Sequence, residues 1–277
     1  MQFSWLILFV CACLSTKCHA RTIKWLTHDF SPYYILSGPD KSQGRDESII
    51  SLLEQKLPHI NFERVIIPSG KVIQELANQQ SNACALSLYK NKYREERVYF
   101  THQSSTAGLS PSIAMHQKLS AALDIESSES VSLTHLLVKK QLTLGVSMNR
   151  SYGSEIDKII NTTPNTNIVI RPTRDTLSTL TYMLNLERID ILLGYPSEHY
   201  YLAKTMGFTD NLTQRMLTEA PKISYGYIGC TKNEQGAEDI ATLNQQLKML
   251  KQTKEYKQVL TRWLPIDLKP KLTLHLQ

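Results

Sequence analysis

The sequence predicts an α/β protein built from two lobes. Short runs of β-branched and other apolar residues alternate along the chain with patterns that repeat at the helical period. This alternation is typical of βαβ units, in which neighbouring strands run parallel. Residues 104–112 interrupt it with a stretch rich in serine, threonine and glycine, and the same alternation then starts again. We therefore expect parallel sheets in two successive lobes.

The first lobe is predicted to open with a strand and a helix. Residues 23–27 form the strand, and the polar, glycine-containing stretch 38–44 precedes the helix. Apolar residues within 49–57 fall on one face of that helix, and Asp46 and Glu47 suit its positive N-terminal end. The other elements predicted for this lobe are a strand at 62–67, a helix at 71–79 and a strand at 84–88.

The second lobe repeats this order. Its predicted helices lie at 133–139, 155–160 and 176–186, and its predicted strands lie at 143–146, 167–170 and 189–193. A further strand is predicted at 225–230. Apolar residues then recur at helical spacing from Ile240 to Trp263, which predicts one long amphipathic helix. The tail after Pro265 is expected to pack loosely or to be mobile.

The first 20 residues predict a cleaved signal peptide. The apolar run at 5–14 is too short to span a bilayer, and Cys18-His19-Ala20 resembles a signal-peptidase site. Residues 1–4 contain no Lys or Arg, which leaves a retained anchor open, and residues 10–13 loosely resemble a lipoprotein site. We expect cleavage before Arg21 and export to the periplasm. Beyond this point no apolar stretch reaches the roughly 18 residues that a membrane helix needs.

Composition and cysteine positions narrow the function classes. The chain is 42% hydrophobic, as in ordinary globular proteins, and its net charge of +6 includes no basic run, so we expect no nucleic-acid partner. Cys84 and Cys230 are the two cysteines beyond the leader. An oxidising compartment favours one disulfide between them, and two buried thiols are the alternative. Neither cysteine has a Cys or His at metal-ligand spacing, so we expect no metal site and no cofactor.

The segment 90–101 carries a family resemblance. Its Arg94 and Phe100 match the spacing of Arg and Phe in the motif Thr-Pro-Glu-Arg-x-x-x-Val-Asp-Phe-Ser. By this motif the chain resembles the family 3 extracellular solute-binding proteins, whose best-known members deliver amino acids to ABC transporters. Trp263 stands where that family's terminal helix usually ends with Trp. The resemblance spans roughly residues 23–264.

Three shorter segments agree with this resemblance in order and spacing. Residues 28–34 are similar to the family's loop after the first strand, and Phe30 takes the place of the aromatic residue that covers the ligand. Residues 44–46 are similar to the Gly-aromatic-Asp start of the first helix, with Arg45 in place of the aromatic residue. Residues 151–154 are similar to the family's Gly-Thr-type turn at a helix start in the second lobe.

The resemblance implies a ligand site between the lobes. Arg94 is expected to hold a carboxylate with the planar fork of its guanidinium, and an exposed ion pair with Glu95 or Glu96 is the alternative. The backbone amides of Gly153 and Ser154 are expected to face the same carboxylate from the second lobe. A plain helix cap is the alternative for this turn.

Departures from the family pattern change the expected ligand. Tyr195 stands where relatives that bind α-amino acids usually place an Asp for the ligand's ammonium, and a phenol carries no charge near neutral pH. Glu198, about one helical turn later, is a candidate substitute for that Asp, and a surface role is the alternative. Ser87 and Tyr89 replace the family's usual Gly and Thr. The remaining residues expected in the site, where the tyrosines have core or rim packing as their alternative, are Phe30 and Tyr152. We expect a carboxylate-bearing anion and do not predict a standard α-amino acid.

The resemblance also implies a type II periplasmic-binding fold, with mixed, mostly parallel sheets in two α/β lobes joined by a two-strand hinge. The expected parts of the chain are a signal peptide at 1–20, lobe 1 at 21–108, lobe 2 at 109–218, a return to lobe 1 at 219–264 and a tail at 265–277. In such a fold the strand at 225–230 lies antiparallel to the strand that begins near Cys84. The resemblance therefore implies that Cys84 and Cys230 can meet.

The expected function is capture of a small anionic solute by a monomer that closes like a Venus flytrap. The solute would then pass to the membrane permease of an ABC transporter. A sensory component that signals to a membrane receptor is one alternative. A dehydratase-like enzyme acting on a ring acid is another, with His28, Asp29 and His102 as residues to consider. No Gly-x-Ser-x-Gly, His-Glu-x-x-His or phosphate-loop motif supports catalysis.

Overall fold

The computed structural model describes residues 21–125, 130–148, 150–171 and 176–276, which form two lobes around two five-stranded sheets. The predicted signal peptide, residues 1–20, lies outside the described residues. The predicted two-lobed α/β class is confirmed. Within the described ranges, no helix has both the length and the apolar character needed to cross a membrane.

The first sheet combines strands from early and late parts of the chain. Its strands are β1 (Thr22–Thr27), β2 (Asn61–Ile66), β3 (Ala83–Leu88), β4 (Val98–Leu109) and β10 (Ile223–Thr231). Their order across the sheet is β2-β1-β3-β10-β4. Strand β1 pairs in parallel with β2 and β3, whereas β10 runs antiparallel to β3 and β4. The late strand β10 therefore lies inside the sheet of the first lobe.

The second sheet has the same layout. Its strands are β5 (Ser112–His116), β6 (Leu144–Ser147), β7 (Ile168–Arg171), β8 (Ile191–Gly194) and β9 (Leu212–Met216). Their order is β7-β6-β8-β5-β9. Strand β6 pairs in parallel with β7 and β8, and β5 runs antiparallel to β8 and β9. Both sheets are therefore mixed, as expected, but they are not mostly parallel, because each has two parallel and two antiparallel pairings.

Helices pack against both sheets. In the described residues they are α1 (Arg45–Lys56), α2 (Val72–Ala77), α3 (Lys92–Glu95), α4 (Gln117–Ala122), α5 (Ser154–Thr162), α6 (Thr176–Asn185), α7 (Pro196–Met206), α8 (Glu234–Leu250), α9 (Lys254–Thr261) and α10 (Lys269–Thr273). A π-helical turn, His135–Lys139, stands where the sequence predicts a helix at 133–139. Short 3₁₀ turns lie at Ser69–Lys71, Asn165–Asn167 and Thr209–Asn211.

Two extended segments connect the lobes. The chain leaves the first lobe between β4 and β5 and returns between β9 and β10. At the crossing the hydroxyl oxygens of Ser110 and Ser224 lie 2.8 Å apart, and the Ser110 amide donates to the Lys222 carbonyl oxygen. The two crossing segments thus run side by side, which gives the predicted two-strand hinge.

Each lobe has its own apolar core. In the first lobe, Trp25 from β1 and Ile49 from α1 are fully buried, and Leu247 from α8 joins the same cluster. In the second lobe, Leu144 from β6 and Ile191 from β8 are fully buried in a separate cluster. Burying one such side chain contributes roughly 1.5–3 kcal/mol, so each lobe is held together largely by its own contacts.

The terminal region differs from the prediction. One long helix was expected up to Trp263, but the structure has α8 and α9 with a break between them, because the Thr253 hydroxyl accepts from the Tyr256 amide and caps α9. The expectation of a loose tail is also wrong. Leu268 and Leu272, four residues apart, are buried in the first-lobe core, and α10 forms there.

The predicted disulfide is confirmed. Strands β3 and β10 pair with Cys84 directly opposite Cys230, and a disulfide joins the two buried residues across a sequence separation of 146. The bridge links the returning chain to the strand at the centre of the first sheet.

We predict that replacing both cysteines, Cys84→Ala with Cys230→Ala, lowers the free energy of unfolding by roughly 2–5 kcal/mol, because the unfolded chain loses a long-range constraint. Urea denaturation under non-reducing conditions measures the change. A thiol assay on the denatured, unreduced wild-type protein is the control. Detection of two free thiols would rule out the bridge.

Candidate ligand-binding cleft

Polar and aromatic side chains from both lobes meet at the lobe boundary. From the first lobe these are Phe30, Tyr33, Arg45, Ser87 and Tyr89, and from the second lobe they are Arg150, Tyr152, Tyr195 and Glu198. We call this group the cleft cluster.

The first-lobe residues of the cluster are held by the start of α1. The amides of Arg45 and Asp46 donate to the carbonyl oxygens of Pro32 and Tyr33, which ties the loop after β1 to the helix. Gly44 permits this contact, since a Cβ there would lie 2.3 Å from the Tyr33 carbonyl oxygen. The loop therefore presents the Tyr33 ring at a fixed position beside α1.

Arg45 is an ion-paired group of the cleft cluster. Its Nε atom lies 2.7 Å from Asp46 Oδ1, its terminal nitrogen donates to Ser87 Oγ at 3.1 Å, and its guanidinium stacks 4.3 Å from the Tyr33 ring centroid. Burial opposes the charge of Arg45, but the Asp46 carboxylate, with smaller contributions from Tyr33 and Tyr89, raises the pKa of Arg45 above its usual value. The positive charge of Arg45 is thus compensated within the first lobe.

Glu198 is the most deeply buried charged group of the cluster, with its side chain fully covered. Its carboxylate accepts two hydrogen bonds from Arg150, at 3.0 and 2.5 Å. It also accepts from the Tyr33 hydroxyl at 2.8 Å and from the Tyr195 amide at 3.1 Å. Gly194 permits this geometry, because a Cβ there would meet the Glu198 carboxylate and the His199 ring. The surface role considered for Glu198 is therefore wrong.

Direct contacts cross the lobe boundary. The hydrogen bond from Tyr33 to Glu198 is one, and the hydroxyl oxygens of Tyr89 and Tyr195 lie 3.0 Å apart in another. An apolar cluster also joins the lobes, and its members are Ile35, Leu177, Tyr201, Leu202 and Trp263. The structure thus has the two lobes in contact.

Arg94 lies next to the cleft cluster and, unlike Arg45 and Arg150, has no carboxylate partner among the described residues. It belongs to α3, whose first turn is capped by the Asn91 side chain, and its guanidinium donates to the Tyr89 carbonyl oxygen at 2.9 Å. Arg94 is half-buried, and desolvation lowers the pKa of its guanidinium. In the described part of the chain, no carboxylate lies within ion-pair distance of it. The alternative of an ion pair with Glu95 or Glu96 is not observed, and Glu96 pairs with Arg97 instead.

Most of the turn before α5 is exposed, in contrast to the buried carboxylate of the cleft cluster. Gly153 and Ser154 are exposed, and the Gly153 amide is 3.4 Å from the Ser151 hydroxyl oxygen. Asp157 accepts hydrogen bonds from the Tyr152 amide and the Ser151 hydroxyl. These contacts are those of a local helix start, and a ligand role for the two amides stays a prediction.

The structure brings together five residues predicted for the site, which are Phe30, Ser87, Tyr89, Tyr152 and Tyr195. Tyr33 and Arg150 were not among the residues predicted for the site, and Arg45 had no predicted ligand role. One signal pointed to Arg45, since it stands where the resemblance expects the aromatic residue of the Gly-aromatic-Asp helix start. Tyr33 lies in the segment 28–34 that resembles the family's ligand-covering loop, but Phe30 was the residue predicted from it, and no local pattern marked Arg150. Within the described ranges, no group of three or more His, Cys, Asp or Glu residues could hold a metal ion.

Comparisons with known proteins identify the chain's relatives. Residues 23–266 match the model of the bacterial extracellular solute-binding proteins, family 3. Among solved structures, the chain is similar to a histidine kinase sensor domain with similarity to periplasmic binding proteins, at a TM-score of 0.63 and 15% identity over 89% of this chain and 96% of the other.

Two binding proteins also share the fold. An ABC uptake transporter substrate-binding protein from Streptococcus pneumoniae with bound histidine matches at a TM-score of 0.62 and 15% identity, over 88% of this chain and 91% of the other. An ancestral arginine-binding protein bound to arginine matches at a TM-score of 0.61 and 15% identity, over 89% of this chain and 100% of the other. No curated protein sequence matches the chain.

We predict that Tyr33→Phe lowers the free energy of unfolding by about 1–3 kcal/mol, because it removes a hydrogen bond to a buried carboxylate. Urea denaturation measures the effect. Tyr93→Phe is the matched control, since Tyr93 is exposed in the first lobe. Equal stabilities of the two variants would show that the bond across the lobe boundary contributes nothing.

We predict that stability falls as the pH drops from about 6.5 to about 4. His199 is buried, and its desolvation lowers the pKa of the ring to about 4. The unfolded chain therefore binds a proton at a higher pH than the folded chain does. This difference lowers the free energy of unfolding by on the order of 3 kcal/mol by pH 4.

The variant His199→Gln should reduce this acid-dependent loss, whereas His59→Gln, at an exposed position, should not. Unfolding free energies at pH 7, 5.5 and 4.5 make the comparison. Identical pH profiles for all three proteins would contradict the assignment to His199.

Proposed function

The chain belongs to the bacterial extracellular solute-binding proteins, family 3, and we propose that it captures a small carboxylate-bearing solute between its lobes. Capture without chemical conversion is the role that the family description supports. The cleft cluster, with donors and aromatic faces from both lobes, is the proposed binding region.

The observation that carries this proposal is the charge of Arg94. Arg45 pairs with Asp46, and Arg150 pairs with Glu198. Arg94, which is half-buried beside Tyr89, has no carboxylate within 4 Å among the described residues. An anionic partner stabilises a cation that has lost part of its hydration. A planar guanidinium suits a carboxylate because it can donate two parallel hydrogen bonds.

Aromatic side chains support a solute with an apolar or planar body. Tyr152 and Tyr195 stack with their ring centroids 6.4 Å apart, and Phe30 lies across the boundary near the same guanidinium, that of Arg150. Stacking faces and phenol hydroxyls contact flat organic acids without adding charge. We propose such an acid as the solute, with Ser87, Tyr89, Gly153 and Ser154 as further contacts.

Closure follows from contacts on both lobes. A solute that touches both lobes stabilises the closed arrangement by the difference between its affinities for the closed and open arrangements. We propose that the closed, liganded monomer delivers its solute to an ABC-transporter permease in the membrane. A similar fold in a histidine kinase sensor domain favours a second candidate, in which the closed protein signals to a membrane receptor. Affinity capture of the membrane partner distinguishes the two.

The proposed location is the periplasm, after cleavage of the leader. The family description names extracellular proteins. The Cys84–Cys230 disulfide also fits an oxidising compartment. Mass spectrometry of the exported protein tests this proposal, since cleavage before Arg21 gives one expected mass.

We predict that Arg94→Ala weakens binding of carboxylate solutes by roughly 2–5 kcal/mol, because the bound anion loses its charged partner. A thermal-shift screen of aromatic and aliphatic carboxylates on the mature protein identifies a ligand, since binding to the native state raises Tm. Calorimetry then compares the variants.

Arg97→Ala is the matched control for Arg94→Ala. Arg97 lies three positions further on, pairs with Glu96 and stacks on Tyr93, and its side chain is 40% exposed. Its replacement should leave affinity for the carboxylate unchanged. Equal losses in the two variants, or no loss in Arg94→Ala, would remove Arg94 from the site.

A further inference from the structure

The guanidinium of Arg150 is enclosed like a bound cation. It lies 5.0 Å from the ring centroid of Tyr195 and 5.2 Å from those of Phe30 and Tyr152. It also donates two hydrogen bonds to Glu198. Aromatic rings around a cation, together with one carboxylate, form a complete binding arrangement for guanidinium or ammonium groups.

The groups around Arg150 come from separate parts of the fold. Phe30 belongs to the loop after β1 in the first lobe, whereas Tyr195 and Glu198 belong to the start of α7 in the second. Arg150 itself lies between β6 and α5, outside both elements, and only 18% of its side chain is exposed. The enclosure therefore includes both lobes, with Arg150 inserted from a connecting segment.

We propose that Arg150 is a built-in occupant of a cation subsite and that it sets the class of solute. While its guanidinium fills the enclosure, Glu198 is neutralised and has no free position for a cation from the ligand. The protein then takes carboxylate solutes that carry no ammonium or guanidinium group at this point. The choice of solute class rests on the proposed carboxylate-binding function, whereas the occupancy of the subsite by Arg150 does not.

The pairing of the buried carboxylates supports this selectivity. Asp46 is 2% exposed and bound to Arg45, and Glu198 is fully buried and bound to Arg150. A ligand ammonium at either carboxylate would approach a resident guanidinium of the same sign, which opposes its binding. Glu198 and the neighbouring Asp46 thus each pair with a resident arginine.

The first experiment tests the occupancy by chemical rescue. In Arg150→Ala, millimolar ethylguanidinium should restore several degrees of lost Tm, whereas ethylurea, its uncharged analogue, should not. Neither compound should raise the Tm of the wild-type protein. Adding Glu198→Gln to Arg150→Ala should abolish the rescue, because the carboxylate that receives the cation is gone. Sodium chloride at equal ionic strength controls for screening.

Arg64→Ala is the matched control, because Arg64 also pairs with a glutamate, Glu54, at 2.8 Å on the exposed surface. It should show no rescue. If Arg150→Ala does not fold alone, recovery of folded protein is compared in ethylguanidinium and in ethylurea, and recovery with the cation only supports the proposal. An equal effect of the two compounds, no rescue by either, or rescue of Arg64→Ala would overturn the built-in cation site.

The second experiment tests the solute class with matched acids that differ by one amino group, glutarate with glutamate and 3-phenylpropionate with phenylalanine. The wild-type protein should bind the acid without the amino group at least tenfold more tightly. Arg150→Ala should shift this ratio at least tenfold toward the amino acid. An unchanged ratio overturns the selectivity role. If neither protein binds any of the four, the carboxylate-binding proposal fails for these probes, while the rescue experiment still decides the occupancy of the subsite.

Discussion

The buried carboxylate of Glu198 is the group on which the contact between the lobes depends most directly. Its four hydrogen bonds come from Arg150 and the Tyr195 amide in the second lobe and from the Tyr33 hydroxyl in the first. A buried carboxylate that loses protein donors must recover them from water or remain costly to bury. Separation of the lobes therefore exchanges the Tyr33 hydroxyl for water at Glu198. The state of this one carboxylate is coupled to the distance between the lobes.

The division into stiff lobes and a narrow hinge follows from the chain path. Strand β10 lies between β3 and β4, and the Cys84–Cys230 bridge fixes its end to the centre of the first sheet. Two segments connect the lobes, and at the crossing they are joined through Ser110 and its bonds to Lys222 and Ser224. Deformation is cheapest where few packed contacts must change. We expect relative motion of the lobes to be concentrated at this crossing.

Local patterns in the sequence predicted most of the strands, and the family resemblance predicted the disulfide, but only part of the cleft could be predicted. Strand positions follow from runs of apolar residues, which are local features, and the pairing of Cys84 with Cys230 followed from a recognised topology. The contacts of Glu198 with Arg150 and Tyr33 join residues 48 and 165 positions apart. Periodicity describes one element at a time and contains no information on what covers it. For that reason the burial of Glu198 beneath the other lobe could not be predicted.

The three arginines near the cleft also differ in whether a carboxylate of the protein compensates their charge. Arg45 and Arg150 each have a buried carboxylate partner, so a ligand anion there would compete with Asp46 or Glu198. An anion at Arg94 displaces no such partner among the described residues. Arg94 also donates to the carbonyl oxygen of Tyr89, whose hydroxyl lies 3.0 Å from the Tyr195 hydroxyl in the second lobe. An anion bound to the Arg94 guanidinium would therefore affect the hydrogen bond from Arg94 to the Tyr89 backbone. The side chain of Tyr89 in turn contacts Tyr195 of the opposite lobe. In the proposed function, anion binding at Arg94 is linked in this way to the contact between the lobes.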